Sequence, residues 1–139
     1  MSLFNELSRS LEVIHRIVRT DGRYRIEAYL FVQDAFAHAT ARLGQQRGLT
    51  GGELLEGFKF LALERYGPTA RLVLEHWGVR TTEEIGHVVM NMVEAGLMRK
   101  TDQDSIEDFK DVFDFREEFE EKFSYRVDNM LYRSSSERK

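Results

Sequence analysis

Residues 23–43 read RYRIEAYLFVQDAFAHATARL, a helical stretch that is apolar on nearly all of its sides. Its polar positions form only a narrow stripe, and a helix that is apolar on most sides is buried on most sides. We therefore predict that this helix lies at the centre of the fold. The polar stripe consists of Arg23, Glu27, Asp34, His38 and Arg42.

The segment before the central helix predicts an amphipathic helix from about residue 2 to residue 19. Its apolar residues recur at spacings of three and four, which places them on one helix face. Asp21 and Gly22 end this helix, and Asp21 can cap the next one. The apolar positions are Leu3, Leu7, Leu11, Ile14 and Val18.

Three more helices are predicted between residues 50 and 95. Thr50 with Glu53, and Thr81 with Glu84, have the spacing of capping boxes, which mark helix starts. The glycine–proline pair at 67–68 separates the first of these helices from the second, because proline fits the first turn of a helix.

Residues 97–115 are predicted to form a small β-hairpin. Strands at 97–100 and 108–115 flank the turn-forming residues 101–104. In the second strand three phenylalanines are spaced by even numbers, which favours a half-buried strand. A last helix is predicted over about 115–125.

The sequence thus predicts a mainly α fold of five to six helices with one small β-hairpin. A single domain is expected over residues 1–132, with an N-terminal helix pair at 1–48 and a helical core with the hairpin at 49–125. Residues 133–139 contain no apolar side chain, and we expect this tail to be disordered.

The composition is that of a soluble globular protein, with 42% hydrophobic and 32% charged residues in a chain of 139. The chain has no cysteine, which excludes a disulfide scaffold, a thiol nucleophile and a cysteine metal site. The longest apolar run, 28–32, is far shorter than the about 20 residues that a membrane helix requires. We expect a cytoplasmic protein with no membrane partner.

No residue pattern points to catalysis, to a metal or to a cofactor. The four histidines do not form a His-Glu-x-x-His pattern, and no phosphate loop or nucleophile elbow is present. Asp102 begins like a calcium loop, but Glu107 stands where that loop needs glycine. We assign no catalytic, metal-ligating or cofactor-binding residue, and an enzyme is the less favoured hypothesis.

One acidic segment accounts for the net charge of −4. Residues 102–121 hold ten acidic and two basic side chains, whereas residues 122–139 hold five basic and two acidic ones. The segment is either a solvated face or a docking surface for a basic partner, including the basic end of a second copy. Its candidate residues are Asp102, Asp104, Glu107, Asp108 and Asp111.

The order of elements from residue 52 to residue 115 resembles a winged-helix domain, in which the second helix of a pair enters the DNA major groove. That helix would be 81–95, which contains no lysine or arginine. Its carboxylates Glu83, Glu84 and Glu94 would face phosphate, which supplies much of the affinity in such complexes. A degenerate DNA-binding regulator is therefore an alternative, and nucleic acid is not the partner we expect.

A dense group of polar and aromatic side chains lies at the start of the central helix. One interpretation is a cap and an arginine–carboxylate pair that fix the angle between the first two helices. The other is a binding surface, since tyrosine and arginine are favoured in hot spots. A small-molecule binder or enzyme using Asp21, Arg23 and Tyr24 is the second alternative. The whole candidate interaction patch is Asp21, Arg23, Tyr24, Glu27 and Tyr29.

A series of short motifs runs through residues 3–124. They are Asp21-x-Arg23-Tyr24, Glu27-Ala28-Tyr29-x-Phe31-Val32, Gly51-x-Glu53-Leu54-Leu55-x-Gly57, Tyr66-Gly67-Pro68-x-Ala70, Trp77-Gly78-Val79, Ile85-Gly86, Val93-Glu94-Ala95-Gly96-Leu97, and Asp104-Ser105 ahead of Asp108-Phe109. Together they resemble a family of conserved hypothetical proteins found largely in planctomycete and verrucomicrobial bacteria. The resemblance implies a bacterial cytoplasmic protein of one domain, and it implies no activity.

The functional expectation is a non-enzymatic protein-interaction or regulatory module that associates with itself as a dimer, or with another protein. The chain offers 10 phenylalanines, 5 tyrosines and 1 tryptophan, besides an acidic segment and a basic end that could pair between copies. If the last helix forms the interface, Phe119→Glu is expected to change the native mass.

Overall fold

A computed structural model describes residues 3–43, 48–99 and 105–122 of the chain. Within these ranges the protein is mainly helical, as predicted, and no strand is formed. The five α-helices are α1 (Leu3–Thr20), α2 (Ile26–Leu43), α3 (Gly51–Tyr66), α4 (Ala70–His76) and α5 (Thr82–Glu94). Two 3-10 turns, Gly67–Thr69 and Ile106–Phe109, and a π-helical turn, Glu117–Glu121, complete the helical structure.

The predicted central helix, α2, contacts α1, α3 and α5. Its approach to α3 is closest where Gly57 faces Ala39. A Cβ atom at Gly57 would lie 2.8 Å from the Cβ of Ala39 and 3.3 Å from the carbonyl oxygen of Ala35. Because Gly57 has no side chain, the backbone of α3 packs directly against the side chain of Ala39 on α2. The residues that α2 buries are Ala28, Tyr29, Phe31, Val32, Ala35 and Ala39.

The predicted capping box at the start of α3 is complete. In the one at the start of α5, the glutamate accepts from the residue before the cap and not from the cap itself. The Glu53 amide donates to Thr50 Oγ1 at 3.1 Å, and the Thr50 amide donates to Glu53 Oε1 at 2.9 Å. At α5 the Glu84 amide donates to Thr81 Oγ1 at 3.3 Å. The Glu84 carboxylate instead accepts from the amide of Arg80, one residue before the cap, at 2.6 Å.

The predicted β-hairpin at 97–115 is wrong in the residues that the structure describes, and residues 100–104 lie outside them. In place of the second strand, a 3-10 turn begins where the Ser105 amide donates to Asp108 Oδ2 at 2.8 Å. Asp111 has a φ of 49°, in the left-handed region that strand residues do not adopt. The wing of the winged-helix interpretation would fall on this same segment.

This 3-10 turn is held by side chains far from it in sequence. The Thr82 hydroxyl donates to the Phe109 carbonyl at 2.6 Å and accepts from the Val112 amide at 3.2 Å. The Phe109 ring lies against Gly86, where a Cβ would come within 2.7 Å of it, and against Gly51, where the distance would be 3.3 Å. The phenylalanine spacing thus reflects separate packing positions, and not a strand.

The last predicted helix, 115–125, is helical as far as the described residues reach, to Lys122. The Arg116 amide donates to Asp114 Oδ1 at 2.9 Å, so Asp114 caps this turn. Phe119 is fully buried and contacts Phe115 edge to face, with the ring centroids 5.2 Å apart. A Phe119→Glu substitution would therefore disrupt the fold, and it cannot test an interface.

Most of the buried apolar side chains in the described ranges form one hydrophobic cluster, which includes residues from all five helices. The single domain predicted over residues 1–132 has its end outside these ranges. The tail at 133–139, predicted to be disordered, also lies outside the described residues.

Gly86→Ala is expected to destabilise the protein by about 1–3 kcal/mol, because the new Cβ would overpack against Phe109. In urea unfolding followed by circular dichroism, this substitution lowers the transition midpoint. Gly52→Ala is the matched control, since a Cβ there would meet only Thr50 Oγ1, at 4.0 Å. It should leave the midpoint unchanged or raise it. Equal stability of the Gly86→Ala protein and the unmodified protein would show that Phe109 does not pack against α5.

Candidate functional site

A bidentate ion pair lies in the connection between α1 and α2. Arg23 Nε donates to Asp21 Oδ1 at 2.9 Å, and Arg23 Nη2 donates to Asp21 Oδ2 at 2.6 Å. The Arg23 amide also donates to Asp21 Oδ1, at 3.1 Å. Parallel charge-assisted bonds of this kind fix geometry as well as adding energy. The two residues therefore form a rigid corner between the helices.

Asn91 of α5 connects this corner to the core. Its Nδ2 donates to Asp21 Oδ2 at 3.0 Å and to the hydroxyl oxygen of Tyr29 at 3.1 Å. One side chain thus joins the α1–α2 connection, α2 and α5. The sequence predicted the pairing of Asp21 with Arg23, but it gave no signal for Asn91, which lies 70 positions after Asp21.

The five residues of the predicted interaction patch are divided by the fold. Tyr24 and Tyr29 are buried in the core. Arg23 and Glu27 are exposed, and only a fifth of the Asp21 side chain, 20%, faces solvent. The aromatic side chains that would make this patch a binding hot spot therefore cannot contact a partner in this conformation.

The pKa values of Asp21 and Arg23 suit a structural role better than a role in proton transfer. Hydrogen bonds from Arg23 hold the pKa of Asp21 well below its usual value, against an opposing effect of burial and with a further contribution from Asn91. The hydrogen bond to Asp21 likewise raises the pKa of Arg23. A general acid or base needs a pKa near the working pH. Neither group has one, so the pair is suited to holding the helices.

The buried tyrosines have raised pKa values because burial disfavours the phenolate. Burial raises the pKa of Tyr24 to about 12, and a weaker effect of the Arg23 charge opposes it. Burial also raises the pKa of Tyr29, opposed by the hydrogen bond from Asn91. The Tyr29 hydroxyl accepts a hydrogen bond from Asn91, whereas the Tyr24 hydroxyl has no hydrogen-bond partner among the described residues.

An open groove of about 320 Å³ runs beside the corner, between α1 and α5. Its polar side chains are of mixed sign: Arg16 on α1 and Glu94 on α5 face it together with Asp21 and Asn91. The carboxylate of Asp21 is already engaged by Arg23 and Asn91. The other charged residues of the described lining, Arg16 and Glu94, are of opposite sign, so the groove favours neither an anion nor a cation.

The predicted acidic surface is only partly described, because Asp102 and Asp104 lie outside the described residues. Glu107 pairs with Lys110 at 2.9 Å, and the Asp108 carboxylate accepts from the amide of Ser105. Asp111 is exposed on its left-handed turn. Two of the three described carboxylates thus bond within their own 3-10 turn.

The acidic residues further along dock the last turn onto the body. Lys59 Nζ lies 3.8 Å from Glu118 Oε2, and Glu118 is buried. Arg71 Nη1 lies 3.2 Å from Glu120 Oε1. The excess of negative charge in the sequence is therefore used in part to hold this turn against α3 and α4.

Other site types find no support in the part of the chain that the structure describes. No group of three or more histidine or carboxylate side chains there could hold a metal ion. Among the same residues, no helix has the length and apolar character needed to cross a membrane. On α5, Glu83, Glu84 and Glu94 remain partly or fully exposed, which disfavours contact with phosphate.

Several large apolar side chains of the described helices are exposed to solvent. Leu7 and Leu11 of α1 are 56% and 39% exposed. Phe60 of α3 is 48% exposed. The leucine spacing of α1 could have indicated this exposure, because the apolar stripe of the helix is longer than the part that the core covers.

Tyr24→Phe is expected to raise the free energy of unfolding by about 1 kcal/mol, because it removes a buried hydroxyl that has no partner. Tyr29→Phe is the matched control and should lower it by about 1 kcal/mol, because Asn91 loses its acceptor. Urea unfolding of both variants measures the two effects. Destabilisation by both substitutions would show that the Tyr24 hydroxyl is bonded.

Asp21→Asn is expected to make the protein lose less stability as the pH is lowered into the acid range. A carboxyl whose pKa is depressed in the folded state contributes stability above its unfolded value of 3.8, and that contribution is lost as the pH falls below this value. The stability difference between the original protein and the variant should therefore shrink as the pH is lowered from neutral. Thermal unfolding at a series of pH values measures it.

Arg23→Gln tests the cause of that shift, since it keeps the Asp21 carboxyl and removes the guanidinium. Arg23→Gln should also reduce the loss of unfolding free energy as the pH is lowered. If both variants lose stability at acid pH as the original protein does, the ion pair between Asp21 and Arg23 does not form in solution.

Comparisons of the chain with protein families, with curated proteins and with solved structures found no match.

Proposed function

We propose that this protein is a non-enzymatic interaction module that pairs with a second copy of itself through α1. The observation that carries the proposal is the division of one apolar helix face into a buried half and an exposed half. Ile14 and Ile17 are buried in the core, whereas Leu7 and Leu11, one to three turns earlier, face solvent.

The exposed half of α1 has the form of a self-complementary seam. In an antiparallel pairing, Leu7 of one copy packs against Leu11 of the other, and the same contact recurs across the two-fold axis. Ser8 and Ser10 flank the leucines, and their small side chains permit close approach. The charged residues of this half lie away from the stripe, so pairing does not bury them.

The size of this seam predicts a weak dimer. The exposed half that the structure describes, residues 5–11, is about 10 Å of helix at the usual rise per residue. Stable interfaces bury about 800 Å² on each partner, more than such a segment supplies. We therefore expect an equilibrium between monomer and dimer that depends on concentration.

Leu7→Glu is expected to abolish the dimer and leave thermal stability unchanged, because the side chain is exposed in the monomer. Sedimentation velocity over about a hundredfold range of concentration should move the unmodified protein from monomer towards dimer, whereas the variant stays monomeric.

Leu72→Glu is the matched control for this experiment, since Leu72 lies on α4 and is 64% exposed. It should dimerise like the unmodified protein. The proposal fails if the unmodified protein is monomeric throughout, or if the control loses the dimer to the same extent.

A further inference from the structure

A chemically reactive pair of residues, Asp21-Gly22, lies in the connection between α1 and α2. It is the only place in the 139 residues where aspartate is followed by glycine. In such a pair the backbone nitrogen of the glycine can attack the side-chain carboxyl of the aspartate, because the glycine has no side chain to obstruct the approach. Gly22 is exposed, and a Cβ atom built on it would meet no atom within 4 Å outside its two neighbours in the chain. The attacking nitrogen is therefore accessible.

The reaction open to this pair is an isomerisation of the main chain. The Gly22 nitrogen bonds to Cγ of Asp21, an oxygen of the protonated carboxyl leaves as water with the amide proton, and a succinimide ring forms. Water then adds to the main-chain carbonyl of Asp21 and breaks its bond to the Gly22 nitrogen. The product is isoaspartate, in which the main chain runs through the former side chain. One water is lost and one is regained, so the reaction needs solvent alone.

Both carboxylate oxygens of Asp21 are engaged in the folded protein. Oδ1 accepts from the Arg23 amide at 3.1 Å and from Arg23 Nε at 2.9 Å. Oδ2 accepts from Arg23 Nη2 at 2.6 Å and from Asn91 Nδ2 at 3.0 Å. Ring closure expels one of these oxygens as water, so the hydrogen bonds to that oxygen must break first. The fold therefore opposes the reaction at the atom that has to leave.

The ion pair opposes the reaction a second time by keeping the carboxyl ionised. Ring closure requires the protonated carboxyl, because water is a far better leaving group than an oxide ion. The hydrogen bonds from Arg23 hold the pKa of Asp21 well below its usual value, so the protonated form is scarcer at a given pH. Local opening of the connection removes both obstacles, and such openings cost less free energy than global unfolding.

From these observations we propose that the Asp21–Gly22 bond is a site of spontaneous isomerisation to isoaspartate, and that Arg23 and Asn91 act as positioning residues that hold it in the aspartate form. The product does not fit the corner between the helices. Its carboxylate is attached directly to Cα, and the main chain gains one atom between α1 and α2. The modified chain therefore lacks the geometry that joins Arg23 and Asn91. This inference does not depend on pairing of two copies through α1.

Ageing of the full chain at neutral pH, below its melting temperature, tests the proposal. Cleavage after glutamate releases residues 13–27, and chromatography with mass spectrometry separates the aspartate, succinimide and isoaspartate forms of this peptide. Isoaspartate should accumulate at residue 21. The same chain unfolded in urea should form it about tenfold faster or more, because a hydrogen bond to a charged group contributes enough free energy to change a population about tenfold.

Arg23→Gln should raise the rate of isoaspartate formation in the folded protein about tenfold, towards the rate in urea. It should leave the rate in urea unchanged, since the ion pair is absent there. Arg25→Gln is the matched control, because Arg25 is an exposed arginine of the same connection whose Nε lies 3.9 Å from Glu27. It should age like the original protein. Gly22→Ala should suppress the product in every background, because the added methyl group obstructs the attacking nitrogen.

Equal rates of isoaspartate formation in the folded and the urea-unfolded original protein overturn the proposal, and this comparison holds whether or not Arg23→Gln folds. A chain that forms no isoaspartate at residue 21, in buffer and in urea alike, also overturns it. A folded Arg23→Gln protein that ages no faster than the Arg25→Gln control does the same. So does an effect of Arg23→Gln that persists in urea, because the arginine then acts through the local sequence and not through the folded ion pair.

Discussion

The packing of α2 against α3 at Gly57 is the contact on which the other helices depend. A Cβ at Gly57 would come within 2.8 Å of Ala39, so only glycine permits this separation of the helix axes. Once the two helices are this close, Phe31 of α2 meets Phe58 of α3 edge to face at 4.9 Å. The centroid of the Phe31 ring also lies 5.6 Å from that of Trp77, at the end of α4. The α2–α3 pair thus forms the surface on which α4 is positioned.

The polar corner at Asp21 sets the direction of α1, and through it the exposure of the leucines. Arg23 fixes the turn from inside the connection, and Asn91 fixes it from α5. Because α1 is held at its C-terminal end, its first turns extend past the buried part of the core. The partial exposure of Leu7 and Leu11 is therefore a consequence of where the helix is held.

The sequence predicted local structure well and long-range placement poorly, for physical reasons. The spacing of Thr50 and Glu53 is itself the geometry of a capping box, so the start of α3 could be predicted from residues that are close in the chain. The position of Phe109 depends on glycines at 51 and 86 and on a hydroxyl at Thr82. Nothing in the residues near Phe109 encodes those partners, and local alternation then wrongly favoured a strand.

The candidate sites show the same division between local and distant information. The pairing of Asp21 with Arg23 is local and was predicted, whereas the burial of Tyr24 and Tyr29 follows from the packing of whole helices. The acidic residues of the segment 102–121 were predicted to form either a solvated face or a docking surface for a basic partner. Their basic partners include Lys59 and Arg71 of this same chain.

Lys59 connects these internal ion pairs to the exposed surface of α3. Its Nζ lies 5.4 Å from the centroid of Phe113, 3.8 Å from Glu118 Oε2 and 3.2 Å from Glu56 Oε1. A buried carboxylate needs a paired cation, and the buried Glu118 is paired with Lys59 and Lys122. The lysine that pairs with Glu56 at the surface therefore also holds the last turn to α3.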